Sequence, residues 1–176
     1  MLEKFKCQQE LQMIVFKLVD ENYAAPIKYV QEIITPQIIT HLLKLPAIEG
    51  VINLRGQIVP IIHGKTKFGL PLNDKYKQDR RIIIFDIKNK TIGLIVDDVA
   101  EVINIKTNEI EPSSIKNMKN FPFIQGVGKY HNKQVILVDP GKLLNCTESN
   151  DIKKLTQMTE EMKQTKDSLI STSFAF

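Results

Sequence analysis

Glu49-Gly50-Val51-Ile52-Asn53-Leu54-Arg55-Gly56-Gln57-Ile58-Val59-Pro60-Ile61-Ile62 decides how the rest of the chain is read. Val51, Ile52 and Leu54 precede an Arg-Gly pair and Ile58, Val59, Ile61 and Ile62 follow it, which predicts two short apolar strands joined by a tight turn. Gly56 takes positive φ without steric cost, so the strands can reverse there. Arg55 is then held at a rim, and a guanidinium fixed by a turn can form a two-pronged contact with a carboxylate. Hairpin turns are polar as a rule, so a solvated turn residue is the plainer reading of Arg55.

Upstream, Met13-Ile14-Val15-Phe16-Lys17-Leu18-Val19 reads as a strand, Asp20-Glu21-Asn22 as a turn, and Tyr23 to Ile27 as a second strand. Pro26 cannot donate to a ladder, which places that strand at an edge or ends it there. Val30-Gln31-Glu32-Ile33-Ile34 is a third strand, and residues 37–47 hold a short helix or loop. The polar run 72–79 is the expected linker.

Beyond it the pattern repeats. Shifted by 69 positions, Ile14 to Leu18 aligns with Ile83-Ile84-Phe85-Asp86-Ile87, and Val30 to Ile34 with Val99-Ala100-Glu101-Val102-Ile103. Shifted by 76, Ile48-Glu49-Gly50-Val51 aligns with Ile124-Gln125-Gly126-Val127, and shifted by 77, Ile58 to Ile61 aligns with Val135-Ile136-Leu137-Val138. The expectation is an all-β chain of two SH3-like barrels of about five strands each, packed together, with short helices. The domain is expected over 12–145, as a first β subdomain at 12–71 and a second at 80–145. Residues 146–176 form an extension, expected to be helical at first from the stripe Ile152, Leu155, Thr159, Met162, Lys166 and Leu169, then disordered.

The chain has 176 residues, 43% hydrophobic and 25% charged, and 24 basic against 20 acidic residues give a formal charge of +4. That mixed surface does not establish a nucleic-acid partner. No apolar run approaches the ~20 residues of a membrane span and the first residues do not form a secretory signal, so a cytoplasmic location is expected. Cys7 and Cys146 read as free thiols.

The usual reactive constellations are missing from the sequence. Gly126-Val127-Gly128-Lys129 is too short for a phosphate loop. Asp97-Asp98 is the best carboxylate pair, but neighbours on a strand end diverge, and the repeat sets them against Lys28-Tyr29, which reads as a solvated loop. His41, His63 and His131 have no metal-ligand spacing. Asp139-Pro140 starts a helix well, whereas the equivalent Ile62-His63-Gly64-Lys65 offers no good cap. No catalytic residue, metal or cofactor is expected.

The string Glu49 to Pro60 with Phe68-Gly69-Leu70 resembles the signature of the CheW-like domain, a coupling domain of bacterial chemotaxis. The likeness continues through Ile92 to Asp97, Val99 to Val102, Ile110-Glu111-Pro112, Gly126 to Lys129 and Leu143-Leu144. It implies two packed five-stranded barrels without catalytic activity. The implied role links the cytoplasmic tips of chemoreceptors to the regulatory domain of the histidine kinase CheA, meeting the membrane only through the receptor. Arg55 and Glu32 match residues implicated in the receptor-facing region, with Val30 and Gly50 in the same neighbourhood, and Glu32 and Arg55 are expected to pair. The chain departs from the family at His63-Gly64, where Asp-Leu is common, which puts the first short helix in doubt. The alternative is a small-barrel nucleic-acid-binding module. Such modules want aromatic side chains on an open strand face, whereas the phenylalanines here sit in apolar runs.

Overall fold

The computed structural model describes residues 9–41, 47–72, 75, 77–112 and 120–146, and positions 157, 161 and 164. Cys7, the Cys146 side chain, residues 42–46, part of the expected linker and most of the C-terminal extension lie outside the described residues. Its strands are β1 (Glu10–Leu18), β2 (Glu21–Pro26), β3 (Val30–Ile34), β4 (Ile48–Leu54), β5 (Gln57–His63), β6 (Arg81–Ile87), β7 (Lys90–Val96), β8 (Asp98–Lys106), β9 (Glu111–Pro112), β10 (Ile124–Tyr130) and β11 (Lys133–Val138). Two short helices follow β5 and β11: α1 (Gly64–Lys67) and α2 (Pro140–Cys146).

These strands form two sheets, ordered β8-β1-β2-β11-β10-β9 and β3-β6-β7-β5-β4. The repeat is visible in matching registers. Ile61 faces Gly93 in the parallel β5–β7 pair and Leu137 faces Ala24 in the parallel β11–β2 pair, so the counterpart of Ile61 is Leu137, one residue before the Val138 expected from the sequence. Bulges recur too, between Val30 and Glu32 on β3 and between Phe16 and Ile14 in the β1–β8 pairing.

The sheets do not follow the halves 12–71 and 80–145. Each takes its β1–β2-type hairpin from one copy and its other strands from the other, so the two copies have exchanged hairpins. The offsets reveal which strands correspond but not which sheet a strand joins, because these strands are apolar on both faces.

That two-faced burial follows from period two. On β1, Met13 and Val15 point into the first sheet's own core with Ala24, Ile105, Val135 and Leu137. Ile14, Phe16 and Leu18 point the other way, into a larger core shared with Ile83, Phe85, Ile87, Leu94 and Val96 of the second sheet. On β6 the alternation repeats, with Ile82 and Ile84 in the second sheet's own core beside Ile52, Val59 and Ile61. Phe16, Tyr23, Phe68, Phe123 and Phe121 form a chain of ring contacts.

Each sheet curls so that the chain leaving one edge meets the other edge. After β3 the chain runs extended to Thr40, which bridges Val51 on β4, so no helix forms over 37–41. After β8 the chain reaches β9, which pairs with β10 through Gly126 and Val127. A Cβ on Gly50 would stand 2.4 Å from the Thr40 carbonyl oxygen, and one on Gly126 would stand 2.5 Å from that of Glu111. The repeated Gly-Val is therefore what lets each barrel close.

Two other expectations change. The first turn is Val19-Asp20, since Glu21 and Asn22 already pair in β2. The α1 helix forms despite the weak sequence signal, with His63 Nδ1 accepting from the Thr66 N–H at 3.4 Å. Burial pushes the His63 pKa down, outweighing nearby Glu49 and Asp97, so the ring is kept neutral and able to accept. Gly64 is required by closeness: a Cβ there would lie 2.4 Å from the Ile95 carbonyl oxygen and 2.8 Å from Leu18. Asp139 caps α2 as its sequence predicts, Oδ1 accepting from Gly141 N–H at 2.9 Å and Lys142 N–H at 3.2 Å.

Candidate functional site

Arg55 and Glu32 meet across the mouth of the second barrel. Arg55 opens the β4–β5 turn with φ of 51°, followed by Gly56 at 86°, the backbone of a tight hairpin whose twist matches its strands. The Asn53 side chain accepts from the Gly56 N–H at 2.8 Å and braces the turn. From this perch Arg55 Nη1 and Nη2 donate to Glu32 Oε1 and Oε2, both at 3.0 Å. The two-pronged contact expected from the sequence is present.

Position explains the geometry. Glu32 follows the bulge on β3, and β3 and β4 lie at opposite edges of the sheet's hydrogen-bonding order. The Thr40–Val51 bridge joins that seam at one point, and the carboxylate–guanidinium pair joins it at another. Glu32 retains 20% of its side-chain exposure and Arg55 75%, so the guanidinium is fixed yet accessible. Ile33, the next residue on β3, is also exposed.

The other two expected site residues lie nearby with different surroundings. Gly50 is buried on β4 against Thr40, and Val30 is half-buried against the core between the sheets. Neither offers the open surface that Arg55 and Ile33 do.

Asp97 corrects the reading of a solvated acidic loop. It stands at the crossing from β7 in one sheet to β8 in the other, 2% exposed, with Lys65 Nζ 2.9 Å from its Oδ1. Its Oδ2 accepts from the Val19 N–H at 2.7 Å, and its own N–H donates to the Lys17 carbonyl at 2.9 Å. Val19 is β-branched yet has φ of 58°, an unfavourable conformation that this carboxylate helps to hold. Its counterpart Lys28, at the other crossing, is exposed and lies 4.9 Å from the Tyr29 ring centre. Two charged neighbours look solvated in a sequence, and only packing of α1 across the crossing buries one of them.

Among the described residues there is no group of three His, Cys, Asp or Glu side chains placed to hold a metal ion. No helix among them is long and apolar enough to cross a membrane. The phenylalanines Phe16, Phe68, Phe85 and Phe123 are buried, leaving none of these four as a stacking platform for bases.

Comparison with known proteins agrees with this architecture. The family model described as "CheW-like domain" matches residues 12–148. "Chemotaxis protein CheW" of Helicobacter pylori is 32% identical over 138 residues, covering 78% of this chain and 83% of that one. The protein of the same name from Klebsiella aerogenes is 32% identical over 139 residues, with the same coverages of 78% and 83%. The crystal structure of the scaffolding protein TtCheW from Thermoanaerobacter tengcongensis gives a TM-score of 0.68 at 39% identity, covering 74% of this chain and 90% of that one. The duplicated barrels, the rim-held arginine and these matches together show that the chain belongs to the CheW-like domain family of chemotaxis scaffold proteins.

Proposed function

We propose that this chain is a non-catalytic cytoplasmic adaptor that couples chemoreceptor cytoplasmic tips to the regulatory domain of the histidine kinase CheA. The face around Glu32 and Arg55, with Val30 and Gly50 shaping it from beneath, is the receptor-facing surface. The observation that carries this reading is the guanidinium held by two 3.0 Å hydrogen bonds and still 75% exposed. A charge fixed before binding loses little side-chain freedom on docking, and arginine is among the residues enriched at the energetic centres of protein interfaces. An adaptor needs no reactive group. It needs separate faces, so that holding one partner raises the effective concentration of the next.

Co-sedimentation with a receptor signalling tip and the kinase tests the reading. Arg55→Ala is expected to weaken receptor binding about tenfold or more. Its unfolding free energy should fall by only about 0 to 1 kcal/mol, the range for an exposed pair. Unchanged receptor binding would remove Arg55 from the interface, and equal losses of binding and stability would make it a scaffold residue. Repeating the assay without residues 147–176 asks whether the extension regulates docking.

A further inference from the structure

The repeat sets two helix caps in equivalent places, and only one of them titrates near neutral pH. An offset of 76 carries His63 to Asp139 and Glu49 to Gln125. Asp139 caps α2 with Oδ1, while Gln125 Nε2 donates to its Oδ2 at 3.1 Å. An aspartate, with an ordinary pKa of about 3.9, stays an acceptor well below neutral pH. At α1 the cap is His63 Nδ1, which accepts from the Thr66 N–H at 3.4 Å and lies 3.3 Å from the Thr66 hydroxyl. An imidazole nitrogen accepts there only while it carries no proton.

The surroundings of the ring give a proton somewhere to go. Burial holds the His63 pKa down first; Glu49 on β4 and Asp97 at the β7–β8 crossing favour the charged ring, whereas Arg80 ahead of β6 and Lys65 on α1 oppose it. Once protonated, Nδ1 is a donor set against the Thr66 N–H, another donor, and Glu49 is the largest of the charges that attract it. The ring therefore has two uses, as a neutral cap for α1 or as a cation beside Glu49.

What α1 holds belongs to the other sheet. It is a single turn, Gly64–Lys67, closed by Phe68 N–H to the Gly64 carbonyl at 2.9 Å and Leu70 N–H to the Lys65 carbonyl at 2.8 Å. A turn of this length persists only through its cap and its packing. Gly64 backs onto Leu18 at the end of β1, and the buried Lys65 reaches Asp97 at 2.9 Å. Asp97 in turn accepts from the Val19 N–H and donates to the Lys17 carbonyl, which fixes the β1–β2 turn with Val19 at φ of 58°.

We propose that His63 and α1 form an acid-released latch: a proton taken up by His63 frees α1, the Lys65–Asp97 tie slackens with it, and the β1–β2 turn loosens from the crossing while both barrel cores stay folded. The opened segment binds the proton more readily than the latched one. Opening therefore grows as pH falls below the ordinary histidine value of about 6.5, by at most about tenfold per pH unit for one proton. The latch needs no partner, so it stands or falls apart from the adaptor reading.

Amide hydrogen exchange of the full chain, resolved by residue from about pH 7.5 to about pH 5.5 and corrected for intrinsic rates, tests it. Protection of Phe68 and Leu70 at α1 and of Val19 and Asp97 at the crossing is expected to fall together below about pH 6.5. Leu143 of α2, whose N–H bonds to the Asp139 carbonyl, and the β6–β7 ladder should hold. His63→Asp, which copies the other cap, and His63→Asn, which stays uncharged, should both abolish the pH-dependent fall. A fall that persists in both variants assigns the proton to another group and overturns the latch. So does a fall at Phe68 and Leu70 that leaves Val19 and Asp97 protected, because α1 then opens without the crossing. Unchanged protection at all four amides overturns it as well, and so does an equal fall at Leu143 and the β6–β7 ladder, which would be global unfolding.

Discussion

Two carboxylate–cation pairs of similar length play opposite energetic parts because water reaches one and not the other. The Glu32–Arg55 pair is screened at its guanidinium, so its stabilising contribution is small and its value lies in orientation. The Lys65–Asp97 pair, 2% exposed on both sides, is a structural tie at the crossing between sheets. Removing one member of a buried pair strands the other charge, which costs about 3 to 5 kcal/mol. Lys65→Met is thus expected to lower unfolding free energy in urea by about that amount. The double variant Lys65→Met with Asp97→Asn should recover part of the loss, because an amide oxygen can still accept from the Val19 N–H and carries no charge. Equal losses in single and double variants would show that the charge is not what matters there. The sequence could not disclose this tie: Asp97 and Lys65 are far apart in the chain, and the repeat counterpart of Asp97, Lys28, is indeed exposed. The contact between Glu101 and His131, 3.0 Å apart, was within reach of the sequence, since offsets of 69 and 76 align these residues with Glu32 and Arg55.

At the scale of elements, closure and capping are the steps that single residues control. Alanine at Gly50 or Gly126 would press a methyl group into a backbone oxygen that has no freedom to withdraw. Overpacking of this kind costs about 1 to 3 kcal/mol. Gly50→Ala should be the worse of the two, since Gly50 also has φ of 155°, which side-chain-bearing residues rarely adopt. Denaturant midpoints of the two variants check the ranking, and a milder effect at Gly50 would contradict it. The α1 cap adds a pH dependence. The His63 pKa lies below its ordinary value in the fold, so the unfolded chain binds the proton more readily. The contribution is therefore complete above the ordinary value of about 6.5 and is lost as pH falls through the folded pKa. Protonation turns Nδ1 from acceptor to donor and removes the cap beside Glu49, Asp97, Lys65 and Arg80. His63→Asn should lose this part of the decline in urea midpoint between about pH 7 and pH 5, and an unchanged decline would assign it to other groups. Strand positions were legible because alternation and turn residues are local signals. The α1 helix was not, because its cap is an unusual side chain and its glycine answers to the distant Ile95 backbone.

The exchange of hairpins makes the molecule one folding unit even though its sequence reads as two. Each barrel lacks two strands until the other copy supplies them, and the core between the sheets needs Ile14, Phe16 and Leu18 from one hairpin against Ile83, Phe85 and Ile87 from the other. A separated half that closed on its own hairpin would expose that whole apolar face to water. Residues 9–79 and 80–146 prepared separately are therefore expected to show little cooperative unfolding or to aggregate. Mixed in equal amounts from denaturant, they should recover the β-sheet circular dichroism and a single melt, because association restores the exchanged strands and the shared core. A cooperative melt from either fragment alone, as a monomer, would mean that a hairpin can return to its own copy at little cost. The same exchange bears on docking: a load applied at the Arg55 rim of one barrel passes through β6 and β7 to strands whose chain continues into the other barrel at Asp97. Two barrels joined this way hold a fixed mutual orientation, which is what a scaffold protein requires.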